Sequence, residues 1–136
     1  MENMKVHHIG YAVKDMQKAI HCFESLGYCM DEPVIDASRN ITIVFARNGD
    51  ACVELVAPCG SPNDVDGILK RTGASPYHIC YEVKNVNQSI KELTKSGMGW
   101  MLVKQPAKAL AIDGAKVAFL YSKNAGLIEL VEIQDF

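Results

Sequence analysis

The chain has 136 residues, 49% of them hydrophobic, with a net charge of -2 and a pI near 6.1. That length and composition fit one domain with a proper core, and the slightly acidic balance supplies neither a basic footprint for nucleic acid nor a polybasic patch for anionic membranes. The opening Met1-Glu2-Asn3-Met4-Lys5 lacks the apolar stretch of a signal peptide and no run is long enough to span a bilayer, so a cytoplasmic protein with a small-molecule partner is expected.

Lys5 to Val13 alternates with a period of two, which predicts a strand with His7, Ile9, Tyr11 and Val13 on one face and His8, Gly10 and Ala12 on the other. Asp15 is a suitable N-cap for a helix whose apolar residues Met16, Ala19, Ile20, Phe23 and Leu26 recur at helical spacing, with Gly27 at its end. Three strand-like runs follow, about Tyr28 to Asp36, Asn40 to Arg47 and Ala51 to Ala57, the last two joined by Asn48-Gly49-Asp50. The punctuated stretch Pro58 to Asn63 then leads to a short helix from about Asp64 to Arg71 and a break at Gly73 to Pro76. A strand at Tyr77 to Val83, a helix at about Val86 to Ser96 and strands near Trp100 to Lys104, Lys116 to Ser122 and Leu127 to Ile133 complete the chain. Gln105 to Ala115 has little periodicity and reads as a long loop beside a pocket.

The second series of elements repeats the first. With His8 laid on His78, the runs His8 to Tyr28 and His78 to Met98 agree at seven of 21 positions, and such self-similarity marks a duplicated unit. Each copy ends in a strand holding one carboxylate among apolar residues, Val53-Glu54-Leu55 and Ile128-Glu129-Leu130. The expected fold is α+β: two tandem βαβββ modules, about residues 4–58 and 76–136, joined by a linker with a short helix at about 59–75, forming a cupped mixed sheet within one domain.

A strand interior is a costly place for an unpaired glutamate, which normally finds a partner, a metal or a proton. Here the misfit occurs twice, each time in a copy that also carries a histidine on the small-residue face. A pseudo-twofold relating the copies would bring His8, Glu54, His78 and Glu129 to one centre. Two neutral imidazoles and two carboxylates balance a divalent cation, and nitrogen and oxygen ligands without sulfur suit Ni, Co, Zn or Mn. His7 and His21 align with Tyr77 and Lys91 and are expected to be structural or exposed, while Tyr11 and Tyr81 face away from the ligands as core. The five cysteines, Cys22, Cys29, Cys52, Cys59 and Cys80, form an odd set with no C-x-x-C pair. That argues against a disulfide framework or thiolate zinc site, and buried, reduced thiols are expected.

In His7-His8-Ile9-Gly10-Tyr11-Ala12-Val13-Lys14-Asp15, Val53-Glu54-Leu55-Val56-Ala57-Pro58, Tyr77-His78-Ile79-Cys80-Tyr81-Glu82-Val83, Val117-Ala118-Phe119-Leu120 and Gly126-Leu127-Ile128-Glu129-Leu130-Val131-Glu132, the chain resembles the vicinal oxygen chelate superfamily. That family includes glyoxalase I, methylmalonyl-CoA epimerase, extradiol dioxygenases and bleomycin-resistance proteins, and its four ligand positions match His8, Glu54, His78 and Glu129. The wording is most similar to single-domain bacterial glyoxalase I and the epimerases. The resemblance implies a homodimeric enzyme with a divalent metal, Ni or Co favoured and Zn allowed, acting on a thiol-conjugated or CoA-thioester substrate. It implies proton transfer between adjacent carbons of a hemithioacetal through a metal-bound enediolate, with Glu129 or Glu54 as base. Methylmalonyl-CoA epimerisation is the alternative, and a non-catalytic binding or resistance protein is a further one.

One departure bears on the choice. In the epimerases a separate glutamate precedes the second hairpin, and aligning Phe45-Ala46-Arg47-Asn48-Gly49 places Ser38 there. Serine cannot replace a carboxylate base. Asp36, two residues away and on the same face of an ordinary strand, could serve as a shifted substitute.

Overall fold

The computed structural model of the protein describes residues 3–134. Among them are nine strands and three α-helices with both parallel and antiparallel pairing, the α+β class that the sequence leads one to expect. They form two compact units, His8–Tyr77 and, together, the residues through His7 with those from His78 onward.

In the unit His8–Tyr77, strand β1 (Lys5–Ala12, shared with the other unit) is followed by helix α1 (Met16–Glu24) and strands β2 (Cys29–Met30), β3 (Val34–Asp36), β4 (Ile41–Asn48) and β5 (Ala51–Pro58). β4 pairs antiparallel with β2, β3 and β5, and β1 runs parallel to β5. Asp15 caps α1 by accepting a hydrogen bond from the Lys18 N–H at 3.1 Å. Met16, Ala19, Ile20 and Phe23 then cover Val53, Leu55, Ala57 and Val44, with Tyr11 and Tyr28 in the same apolar layer. Helix α2 (Asp66–Thr72) lies beyond the second hairpin, its start braced by Asn63, whose side-chain oxygen accepts from the Val65 and Asp66 N–H groups.

The other unit repeats this order with strand β6 (Ser75–Val83, likewise shared between the units), helix α3 (Val86–Thr94), and strands β7 (Met101–Ala109), β8 (Ala115–Ser122) and β9 (Gly126–Glu132). β6 runs parallel to β9, and β8 is antiparallel to β9 and β7. Asn85 takes the capping role of Asp15, accepting from the Gln88 N–H at 2.9 Å. Val86, Ile90 and Leu93 cover Leu120, Leu130, Ile128 and Ala118, with Tyr81, Trp100 and Met4 beside them. Each helix thus shields one face of its strands, and the alternate residues of those strands point to the opposite face.

Three expectations are corrected. Gln105 to Ala115 is not a long loop: β7 continues to Ala109, and only a 3-10 turn at Leu110–Ile112 and the positive-φ pair Asp113 (51°) and Gly114 (76°) separate it from β8. Two register shifts, between Leu102 and Lys104 and between Lys104 and Ala107, break the period-two pattern, which is what such bulges do. The single strand expected at Tyr28 to Asp36 is instead two short ones, β2 and β3, interrupted around Pro33. Of the cysteines, only Cys80 is buried; Cys22, Cys29 and Cys59 are exposed and Cys52 is half-buried. Among the described residues, no helix is long and apolar enough to cross a membrane.

Candidate functional site

The strand face turned away from each helix carries the candidate ligands. In the unit His8–Tyr77, β1 and β5 align so that Gly10 lies beside Glu54, and His8, two residues before Gly10, projects to the same side. Both side chains are buried. The Nε2 of His8 lies 3.5 Å from Oε1 of Glu54. Phe45 stands opposite Glu54 on β4, and its ring meets the His8 ring edge-on, the centroids 5.3 Å apart.

The second unit builds the same arrangement. Cys80 lies beside Glu129, His78 precedes Cys80 by two residues, and both His78 and Glu129 are buried. His78 Nε2 is 3.1 Å from Glu129 Oε1, while Phe119, opposite Glu129, packs edge-on to His78 at 5.4 Å. The duplication therefore extends from sequence to register: in both copies the glutamate faces the residue two places after the histidine. The aromatic partners Phe45 and Phe119 were not singled out from the residues; their signal was that each precedes its glutamate by nearly one hairpin length.

Buried carboxylates beside buried imidazoles supply nitrogen and oxygen donors suited to a divalent first-row ion. The residues present therefore fit such a group. Of the other histidines, His21 is exposed and His7 half-buried, and Tyr11 and Tyr81 pack on the helix side.

Asp36 was only a fallback in the sequence, yet it is buried, at 5% exposure. It pairs with Ile41, which in turn faces Pro58, as Phe45 faces Glu54. The even residues of β5 and the odd residues of β4 share one face, so Asp36 lies on the face of His8 and Glu54. The Ser38 hydroxyl donates to Asp36 Oδ1 at 2.7 Å.

At the solvent end of this face, Arg47 donates from Nε to Asp31 Oδ2 at 2.8 Å, and its guanidinium lies 5.8 Å from the centre of the Phe45 ring. Burial raises the pKa of the neighbouring Cys52 thiol, with Arg47 opposing that shift. A thiol held protonated is a poor nucleophile.

Residues 7–119 match the sequence profile of the glyoxalase/bleomycin resistance protein/dioxygenase superfamily. The chain belongs to that superfamily. Within the superfamily it is 30% identical to mitochondrial methylmalonyl-CoA epimerase of Bos taurus, over 96% of this chain and 73% of that one. It is 26% identical to the ethylmalonyl-CoA/methylmalonyl-CoA epimerase of Cereibacter sphaeroides, over 95% of this chain and 98% of the other. The fold matches the crystal structure of methylmalonyl-CoA epimerase from Mycobacterium tuberculosis with a TM-score of 0.81, at 21% identity, covering 96% of this chain and 88% of that one. These relatives are isomerases, and the chain is an enzyme of the isomerase or lyase kind that its sequence implies.

Proposed function

We propose that the protein is a metal-dependent epimerase of a 2-substituted malonyl-CoA thioester, methylmalonyl-CoA being the reference substrate. The observation that carries this reading is the similarity to methylmalonyl-CoA epimerase along 96% of the chain. Conversion of a thiol hemithioacetal, to which the sequence first points, becomes the alternative.

In this reading His8, Glu54, His78 and Glu129 would together hold one divalent ion, Co or Ni in preference to Zn. Such an ion, when bound, supplies a Lewis acid for two neighbouring carbonyl oxygens. The protein's own contribution is positional. Phe45 and Phe119 restrict the two imidazole rings, and the buried surroundings strengthen electrostatic interactions by excluding water. A carboxylate then removes the proton on C2 and one returns it to the opposite face, with Glu129 a candidate for one of these roles and Glu54 its repeat counterpart. Assembly as a homodimer belongs to the same reading and is checked by light scattering.

The test is proton exchange. Protein loaded with Co is mixed with one epimer of methylmalonyl-CoA in deuterated water, and loss of the C2 proton signal is followed beside conversion of a methylglyoxal hemithioacetal. Rapid exchange with inversion, and slow hemithioacetal turnover, are expected. Hemithioacetal turnover without exchange would overturn the epimerase in favour of the alternative.

A further inference from the structure

The internal repeat supplies a control for each register position on the site face, and the row at the solvent end of that face fails to match. Phe45 faces Glu54 and Phe119 faces Glu129, so β4 and β8 are aligned through these phenylalanines. Two residues further on stand Arg47 and Tyr121. Arg47 is flanked by Cys29 on β2 and Cys52 on β5, whereas Tyr121 is flanked by Met101 on β7 and Leu127 on β9. The second copy fills this row with uncharged side chains, so the fold asks for no charge there. The first copy places a cation in it, and Arg47 is the one basic residue on strands β2 to β5.

Local structure fixes where that cation lies. The Asp31 N–H donates to the Phe45 carbonyl at 2.8 Å, which extends the β2–β4 register by one residue and sets Asp31 on the face of Phe45 and Arg47. Its carboxylate then accepts from Arg47 Nε at 2.8 Å. Among the described residues the guanidinium makes no other hydrogen bond. A guanidinium carries five N–H donors in a planar fork, so those on the two Nη atoms are left for another acceptor. The same group lies 5.8 Å from the centre of the Phe45 ring, and that ring meets His8 edge-on. An exposed ion pair contributes little to stability, while ordering a long side chain costs rotamer entropy. The arrangement therefore returns little to the fold, yet it holds a cation one aromatic ring away from a buried imidazole, on the face of Glu54.

We propose that Arg47 binds a phosphate of the substrate's thiol carrier and so selects a coenzyme A thioester over a phosphate-free one. This rests on the epimerase reading, which names coenzyme A as the carrier. Burial divides the substrate between the two ends of the face. His8 and Glu54 are 1% and 6% exposed, so the reacting acyl end has to reach inward. The Arg47 side chain is 54% exposed and stands one residue before the end of β4, so the anion it meets belongs to the part of the substrate that trails towards solvent. The acyl carboxylate, the other anion of a malonyl thioester, is attached to C2 and travels inward with it. The Nη donors match two phosphate oxygens in a planar, bidentate contact. No bond forms or breaks at Arg47: the contact is the same in the ground and transition states, so it lowers KM without raising kcat.

The experiment compares two thioesters of one acyl group, methylmalonyl-CoA and methylmalonyl-pantetheine, which has no phosphate, on Co-loaded wild type, Arg47→Ala and Arg47→Lys. Arg47→Ala should raise KM for the CoA thioester about tenfold, the low end for a charge-assisted hydrogen bond because the group is exposed. Its kcat and metal content should stay at the wild-type values, and KM for the pantetheine thioester should be the same in both proteins. Arg47→Lys should recover part of the loss, since a point charge replaces the fork. An unchanged KM for the CoA thioester in Arg47→Ala overturns the proposal. Equal rises in KM for both thioesters also overturn it, because they assign Arg47 to the acyl carboxylate. Calorimetric titration with acetyl-CoA and S-acetylpantetheine, which lack that carboxylate, separates this result from the epimerase reading. If acetyl-CoA binds more weakly to Arg47→Ala and S-acetylpantetheine does not, the phosphate site stands, and a wild type that exchanges no C2 proton of methylmalonyl-CoA then removes the epimerase reading alone. Acetyl-CoA affinity that is equal in wild type and Arg47→Ala, or immeasurable in wild type, overturns the phosphate site whatever the turnover.

Discussion

Glu54 stands opposite Phe45 across the β4–β5 ladder, and the Phe45 ring meets His8 edge-on at 5.3 Å with the planes at 75°. One aromatic side chain therefore contacts the histidine while sharing a register position with the glutamate. Edge-to-face pairs contribute about 0.5–1.5 kcal/mol beyond the area they bury. Phe45→Leu keeps most of the volume and removes the ring. It should weaken Co binding by up to about tenfold, and Phe119→Leu should act similarly through His78. Competition with a chromogenic chelator measures both, and unchanged affinity in both variants would show that the rings do not orient the imidazoles.

The four proposed ligands are distinguished by pairing metal content with turnover. His8→Ala and His78→Ala should each lose most of the one ion expected per chain, because each removes a nitrogen donor from a preformed set. Glu129→Gln should keep part of the metal while losing about 10²–10⁴-fold in rate. Glu54→Gln in the same assay decides which carboxylate carries protons. A metal-loaded Glu129→Gln variant at full rate would remove Glu129 from that role.

Much of this was legible in the chain because the duplication makes each copy a witness to the other. The match of His8 with His78 and of Glu54 with Glu129 anticipated a shared register, and the period of two put Tyr11 and Tyr81 on the helix side. Gln105 to Ala109 reads as loop in the sequence because bulges erase alternation, leaving Pro106 and scattered lysines as the visible signal. Asp36 was ambiguous for another reason: whether an aspartate near a turn is buried depends on the partner strand. Ile41 sets its place, and no local pattern announces that pairing.

Helix capping is a separable contribution to the fold. Asp15 and Asn85 each accept from the N–H three residues on, at 3.1 and 2.9 Å. Asp15→Ala or Asn85→Ala should each cost about 1 kcal/mol, or about 3–5 °C in melting temperature for a chain of this size. The sites belong to different units, so the double variant should show additive losses. Calorimetry on the single and double variants provides the check, and a loss well above the sum would mean that the caps are coupled.

Thiol reactivity tests the electrostatics at the solvent end of the β4–β5 face. Cys52 is half-buried, and desolvation raises its pKa, with the Arg47 charge lowering it and Asp31 and Glu54 raising it. Only the thiolate attacks an aromatic disulfide reagent. At pH 8 Cys52 should therefore react more slowly than the exposed Cys22, Cys29 and Cys59. Arg47→Ala removes the one opposing charge, so it should slow Cys52 further. It should leave global stability nearly unchanged, because an exposed ion pair such as Arg47–Asp31 is worth about 0.2–1 kcal/mol. The sign of the pH effect follows from the same shift. A folded-state pKa raised above the unfolded value means that the folded chain holds the thiol proton more tightly, so the contribution of Cys52 to stability is complete below the unfolded pKa of about 9 and is lost as pH rises through the folded one. Peptide mapping after timed labelling resolves the individual thiols. Faster labelling of Cys52 in Arg47→Ala would show that the guanidinium shields the sulfur sterically instead of favouring its charged form.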